Sequence, residues 1–215
     1  MLDVTPGSQQ DLWWNWAIAE VDSARFGAGL GSRMTLELQA KVRAGMREAL
    51  TSSDWNSLKD AVTEFRKPIL LDLLRFPTVW YQGELDSSEL PNVRIMNYEP
   101  HVKISPSRTL SDFATALDAG RNSGETEFGG NYRKVRAAFR VDKVRGRPIL
   151  VAEAKSGPFI LLEGYTRLTV MTSLIREGKI NPQLISVLLG VCHRLREWHL
   201  YSMLNGRLIR TQSLF

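Results

Sequence analysis

Apolar residues in the first third of the chain recur every three or four positions, which predicts amphipathic helices. Ser8 is placed to cap a first helix, Thr35 a second, and Ser53 opens a third that kinks or ends at Pro68. The apolar positions of these helices are Leu12, Trp16, Ala19 and Phe26, then Leu38, Val42 and Met46, then Trp55, Leu58, Val62 and Phe65. We interpret the glycines between positions 27 and 31 as a flexible connector. The pattern over residues 1–76 therefore predicts an α-helical N-terminal extension without a strand.

The pattern changes at Pro77, where short runs of β-branched and aromatic residues begin. Predicted strands lie at 78–81, 93–96, 101–104, 148–154, 159–162 and 185–189. Helical patterns lie at about 109–120, with Ser107 or Thr109 as the cap, at 131–141, at 165–177 and shortly before Trp198. A polar, glycine-rich loop is predicted at 121–130. We therefore expect a mixed α+β core over 77–200, followed by a basic tail at 201–215.

Composition places the chain among globular proteins. Hydrophobic residues make up 43% and charged residues 24% of its 215 residues, which excludes a disordered or fibrous chain. Its apolar runs are only a few residues long, and its N-terminus lacks the features of a signal peptide. The single cysteine, Cys192, excludes an internal disulfide and a cysteine-rich metal site. We expect a cytoplasmic protein with no membrane partner.

Positive charge is concentrated in one segment. Residues 133–147 contain seven basic residues and one acid, a net charge of +6, whereas the whole chain carries +5. The basic residues are Arg133, Lys134, Arg136, Arg140, Lys143, Arg145 and Arg147. On a helix, Arg133, Arg136 and Arg140 would form a stripe that a nucleic-acid backbone could follow, so DNA is the expected partner. The alternative is the solvated face of an amphipathic helix.

One stretch combines an apolar strand, a single glycine and a helix. Gly164 permits a tight turn, and the first N–H groups of the helix after it lack intrahelical partners. Such a helix start can bind an anion, and Arg167 in its first turn is suited to bidentate phosphate contact. The alternative is a local ion pair, since Glu163 and Arg167 are four residues apart.

The run Glu163-Gly164-Tyr165-Thr166-Arg167, with the hairpin strands before it, resembles the G-x-x-R motif of the ParB/sulfiredoxin superfamily. Within that superfamily the chain looks most like the branch of plasmid fertility-inhibition proteins. The resemblance covers about 77–198 and leaves the helical extension uncovered. Tyr165 stands where relatives have histidine or, in sulfiredoxins, cysteine, so a thiol-dependent reductase is not implied.

The resemblance implies a pocket for ATP or another nucleoside triphosphate, with or without Mg²⁺. Gly164, Tyr165, Thr166 and Arg167 would hold the phosphates. Members of the superfamily hydrolyse nucleotides, transfer phosphate or cut DNA. Two carboxylates are candidates for catalysis: Glu163 at the turn, and Glu84 after the first predicted strand of the core.

Three functions stay open at this point. The first is a nucleotide-binding protein with ATPase or phosphotransfer capacity that acts near DNA, with nuclease activity as one form. The second is a non-enzymatic inhibitory module that binds DNA, or binds a protein through the N-terminal extension. The third is an ATP-dependent small-molecule kinase.

Overall fold

The computed structural model describes residues 3–23, 27–70, 73–120, 127–140, 145–201, 203–204 and 207–208. A six-stranded mixed sheet lies between two layers of helices. Its strands are β1 (Asp3–Pro6), β2 (Val79–Asp86), β3 (Arg94–Ile95), β4 (Ile149–Ala152), β5 (Ile160–Glu163) and β6 (Leu184–Val191). Two further strands, β7 (Met203–Leu204) and β8 (Arg207–Leu208), pair with each other.

The helices divide into an N-terminal group and a later group. The N-terminal group is α1 (Gln9–Glu20), α2 (Gly27–Gly31), α3 (Leu36–Arg43), α4 (Ser52–Phe65) and α5 (Lys67–Leu70). The later group is α6 (Glu99–Ile104), α7 (Leu110–Asp118), α8 (Glu127–Ala138) and α9 (Tyr165–Arg176). None of the helices in the described ranges has an apolar stretch of bilayer-spanning length.

The strands follow the order β1-β2-β6-β4-β5-β3 across the sheet. β4 pairs with β6, and β3 with β5, in parallel; the other neighbours are antiparallel. The pairing aligns Gln82, Leu188, Ile149 and Glu163 in one row across four strands. The carboxyl end of β5, where α9 begins, therefore lies level with the start of β4 and the middle of β6 and β2.

β4 and β5 are buried on both faces, which explains why these two strands are apolar runs without polar alternation. Ile149 and Val151 of β4 pack in a hydrophobic cluster with the N-terminal helices. Leu150 and Ala152, on the opposite face, pack in a second cluster with α7, α8 and α9. The mixed α+β class predicted from the sequence is confirmed, and residues of the N-terminal extension share a core with the sheet.

Most predicted elements are present with boundaries shifted by a few residues. Ser8, Thr35 and Thr109 cap α1, α3 and α7 as expected, and each side chain accepts a hydrogen bond from a backbone N–H in the first turn. The cap of α4 is Thr51, two residues before the predicted start. α8 begins at Glu127, inside the predicted 121–130 loop, whose residues 121–126 lie outside the described ranges. Phe26, the last apolar position assigned to the first helix, is also outside them.

Three predictions are wrong. The N-terminal extension does contain a strand, because β1 pairs with β2 along its whole length. This partner lies more than seventy residues away, so local pattern did not reveal it. The predicted strand at 101–104 is part of α6, which Pro100 favours by its position in the first turn. The supposed connector 27–31 is helical, and a side chain at Gly27 would lie 2.7 Å from the carbonyl oxygen of Val21.

Candidate functional site

The turn between β5 and α9 has the backbone geometry expected of an anion-binding helix start. Gly164 adopts φ 101° and ψ 16°, a left-handed conformation that favours glycine. A Cβ atom there would lie 3.1 Å from Cβ of Pro148, so close packing also requires glycine. Among the described residues, no side chain caps the start of α9. The first N–H groups of α9 are thus left for water or a ligand.

Arg167 makes several contacts beside this turn. Its Nη2 donates to Oε2 of Glu163 at 2.5 Å, so the ion pair that the sequence allows is present. Its Nη1 donates to the main-chain oxygens of Arg145 and of Gly146, the latter at 2.9 Å. The guanidinium therefore joins the turn to the segment that leads into β4. The carboxylate offsets the unfavourable position of a cation at the positive end of a helix.

The two residues between Gly164 and Arg167 direct their side-chain hydroxyls to the protein. The Tyr165 hydroxyl donates to the oxygen of Leu161 at 2.6 Å and accepts from the N–H of Met96 at 2.8 Å. Burial raises the pKa of Tyr165, although the Met96 N–H lowers it in part. Thr166 Oγ1 accepts from Nδ2 of Asn131, on α8, at 3.3 Å. A phosphate at this turn would therefore be held by main-chain N–H groups and by Arg167.

Sequence patterns do not indicate a buried ion pair that lies in the N-terminal layer. Arg66, just after α4, donates to Glu20 at the end of α1, and both side chains are largely buried. Burial raises the pKa of Glu20; the Arg66 charge opposes this shift, whereas the nearby Glu163 carboxylate adds to it. No motif could have revealed them, because about a hundred residues or more separate each of them from Glu163 in the sequence.

Glu84, the second catalytic candidate, lies away from the turn. It is exposed on β2, opposite Asp3 of β1 and Ser186 of β6. Since β6 and β4 lie between β2 and β5, three strand spacings, roughly 14 Å, separate it from Glu163. The structure does not bring the two carboxylates to one phosphate.

The basic segment does not form the predicted stripe. Arg133 and Lys134 are exposed on α8, but Arg140 lies beyond the end of this helix at Ala138. Arg136 instead forms ion pairs with Glu177 and, at 3.5 Å, with Asp118. Arg136, the middle arginine of the predicted stripe, is therefore neutralised by carboxylates at the ends of α7 and α9.

The rest of the segment has contacts near α1. Arg145 pairs with Asp22 at 3.0 Å, and Arg147 donates from Nη1 to the Gln82 side chain at 2.5 Å. Lys143 lies outside the described residues. Arg145 and Arg147 are thus engaged where α1 meets the sheet, away from Arg133 and Lys134 on α8.

Two surface cavities lie elsewhere in the described structure. One, of about 370 Å³, is lined by polar residues such as Gln39 and Arg43, which hydrogen-bond to each other. The other, of about 410 Å³, lies between the start of α1 and the start of β2. Neither is lined by a residue of the β5–α9 turn.

Comparison with protein-family models, with curated proteins and with solved structures finds no match to the chain.

Proposed function

We propose that the chain binds a nucleoside triphosphate whose phosphates lie at the β5–α9 turn. The observation that carries the proposal is the left-handed Gly164 at the start of an uncapped twelve-residue helix, with Arg167 held beside it by Glu163. The N–H groups and the positive end of the α9 dipole favour an anion at this place. The G-x-x-R resemblance points to the same residues and to a phosphate.

The contacts of Arg167 are compatible with phosphate binding. A guanidinium has five N–H donors, and the contacts to Glu163, Arg145 and Gly146 involve only Nη1 and Nη2. The carboxylate fixes the side chain near the turn before the ligand arrives. Glu163 would also offer oxygen ligands to Mg²⁺ and is the catalytic candidate if the nucleotide is hydrolysed or its phosphate is transferred.

The test is a binding panel of ATP, ADP, CTP and GTP, with and without Mg²⁺, measured by thermal shift and titration calorimetry. A ligand at one hundred times its Kd should stabilise the fold by about 2.7 kcal/mol. Arg167→Gln should weaken binding by about 1.5–3 kcal/mol, because it removes a charge-assisted contact. Arg176→Gln is the matched control, since Arg176 lies at the other end of α9 and also pairs with a carboxylate, Asp118.

The proposal would be rejected if none of the nucleotides changed the Tm of the unmodified chain. It would also be rejected if the Arg167 and Arg176 variants bound nucleotide with equal affinity. If the panel finds hydrolysis, Glu163→Gln should remove it while the nucleotide still binds. If the Glu163→Gln variant hydrolysed the nucleotide at the parental rate, another residue would be responsible for catalysis.

A second candidate function is non-enzymatic nucleic-acid binding through α8. The observation that favours it is the exposure of the adjacent cations Arg133 and Lys134 on one helix. Nucleic-acid binding through α8 needs no nucleotide, so this function remains possible if none of the tested nucleotides stabilises the chain.

A further inference from the structure

Arg108, between α6 and α7, is a buried cation with a left-handed backbone. It is 6% exposed, and at φ 60° it is the only left-handed residue other than glycine in the part of the chain that the structure describes. This conformation is disfavoured for a residue with a Cβ atom. The N–H of Ile95 donates to the carbonyl oxygen of Arg108 at 2.9 Å and holds the residue beside β3. Residues kept in sparsely populated backbone conformations are concentrated at functional sites.

The guanidinium of Arg108 contacts neutral acceptors only, as far as the described residues are concerned. Nε and Nη2 donate to the carbonyl oxygen of Ile95 at 3.2 Å and 3.1 Å, and Nη1 donates to that of Tyr201 at 3.0 Å. These bonds use three of the five N–H groups of an arginine, so two remain. Because Tyr201 is half-buried, the Nη1 side of the guanidinium is the side closer to solvent.

Other arginines that are largely withdrawn from water have a carboxylate partner. Four such side chains are 12–30% exposed, and their pairs are Arg47 with Asp11, Arg66 with Glu20, Arg136 with Glu177 and Arg167 with Glu163. Arg108 has no carboxylate partner in the described ranges. Burial lowers the pKa of Arg108, and the charge of the nearby Arg94 adds to this effect. The surroundings of Arg108 therefore lack a negative charge.

A buried charge without a counter-charge is costly, and an arginine does not avoid the cost by losing its proton. We propose that Arg108 binds a small oxyanion, and that two oxygen atoms of a carboxylate or phosphate group accept its two remaining N–H groups. The planar fork of a guanidinium suits such a two-oxygen contact. The bound anion supplies the missing counter-charge. This inference involves neither the N–H groups of α9 nor Arg167, so it does not depend on the function proposed above.

The experiment measures the Tm of the full chain in sodium phosphate, sodium acetate and sodium chloride at equal ionic strength. The preferred oxyanion, at ten times its Kd, should raise the Tm by about 3–5 °C over chloride. A larger rise in phosphate identifies a phosphate site, and a larger rise in acetate identifies a carboxylate site. Arg108→Gln should weaken the affinity, obtained from the dependence of Tm on anion concentration, by about tenfold or more. Arg108→Lys keeps the charge without the planar fork and should weaken it about tenfold.

Two further variants separate this site from other arginines. Arg47→Gln is the matched control, because Arg47 is also partly buried but pairs with the Asp11 carboxylate. Arg167→Gln removes the arginine of the β5–α9 turn. Both variants should keep the oxyanion affinity within about twofold, whereas the double variant Arg108→Gln/Arg167→Gln should lose it.

A purely structural role of Arg108 predicts a lower Tm for its variants with the parental oxyanion affinity, which would overturn the inference. Equal Tm values of the unmodified chain in the three salts would also overturn it, as would loss of the effect in Arg167→Gln alone. None of these results bears on triphosphate binding, which tests the proposed function separately. If Arg108→Gln does not fold, unchanged affinity of Arg108→Lys would reject the site.

Discussion

At Gly164 the backbone turns through a left-handed conformation while Pro148 lies against it. Gly178, just beyond the end of α9, is also left-handed, with φ 68°, but a Cβ there would meet nothing within 4 Å. A substitution at Gly178 would therefore introduce only backbone strain, whereas a substitution at Gly164 would introduce both backbone strain and a close contact with Pro148.

We expect Gly178→Ala to cost about 1 kcal/mol of unfolding free energy, because an alanine is strained in the left-handed region. Gly164→Ala should cost about 1 kcal/mol more, since its methyl group would also press on Pro148. Urea unfolding of the two variants and the parent measures the difference. Equal destabilisation would show that the Pro148 contact relaxes freely.

Single residues also show where sequence reasoning succeeds and where it stops. The Glu163–Arg167 pair could be predicted, because helix geometry brings residues four apart together. The contact of Arg167 with Gly146 could not, since it depends on how the chain returns to β4 twenty residues earlier. Arg66 and Glu20 escaped notice for the same reason.

The helix α8 illustrates the same limit for a whole element. Tyr132 and Val135 of α8 and Phe139 just after its end follow helical spacing, and all three belong to or pack against the cluster that α8 shares with the sheet. Its basic stripe was predicted from the same spacing but is interrupted, because Arg136 turns to Asp118 and Glu177. Periodicity indicates the buried face of a helix, whereas the partners of its charges come from other elements.

Because Arg136 forms ion pairs whereas Arg133 and Lys134 are exposed, we expect these cations of α8 to have different roles. If α8 binds nucleic acid, replacing both Arg133 and Lys134 by glutamine should flatten the plot of log affinity against log salt by roughly 2 for duplex DNA. Arg136→Gln should leave that slope unchanged and lower the unfolding free energy by about 1–2 kcal/mol, because it breaks a partly buried ion pair. Sequence preference should hardly change, since phosphate contacts do not read bases.

Affinities for one DNA duplex at several salt concentrations provide the measurement. Identical slopes for the parent and the double variant would leave α8 as a solvated helix face. A reduced slope for Arg136→Gln would contradict the structural role given to its ion pairs.

For the whole molecule, the N-terminal layer covers the central part of one face of the sheet. Trp16 and Leu58 from this layer share a buried cluster with Trp80 and Leu188 of the sheet. The sequence predicted the helices of residues 1–76 and a separate core after them, but it could not show that the two parts bury each other. The amphipathic pattern of a helix indicates that one of its faces is buried, but it does not indicate which element packs against that face.

We therefore expect a fragment that begins at residue 77 to lose cooperative unfolding, because one face of its sheet would be exposed to water. Thermal unfolding followed by circular dichroism, together with binding of a hydrophobic dye, measures this. Co-expression of residues 1–76 as a separate chain should restore a cooperative transition. A fragment that unfolds cooperatively on its own would establish 77–200 as an independent domain.

The position of β6 has a consequence for how the protein is made. β6 lies at the centre of the sheet, between β2 and β4, yet it is the last of the six strands in the chain. Until the ribosome has released residues 184–191, β1–β2 and β4–β5–β3 remain separate pieces with unpaired inner edges. A message truncated before this strand would yield a chain prone to aggregate rather than a smaller folded protein. The sheet therefore closes only after residues 184–191 have been synthesised, later than its other five strands.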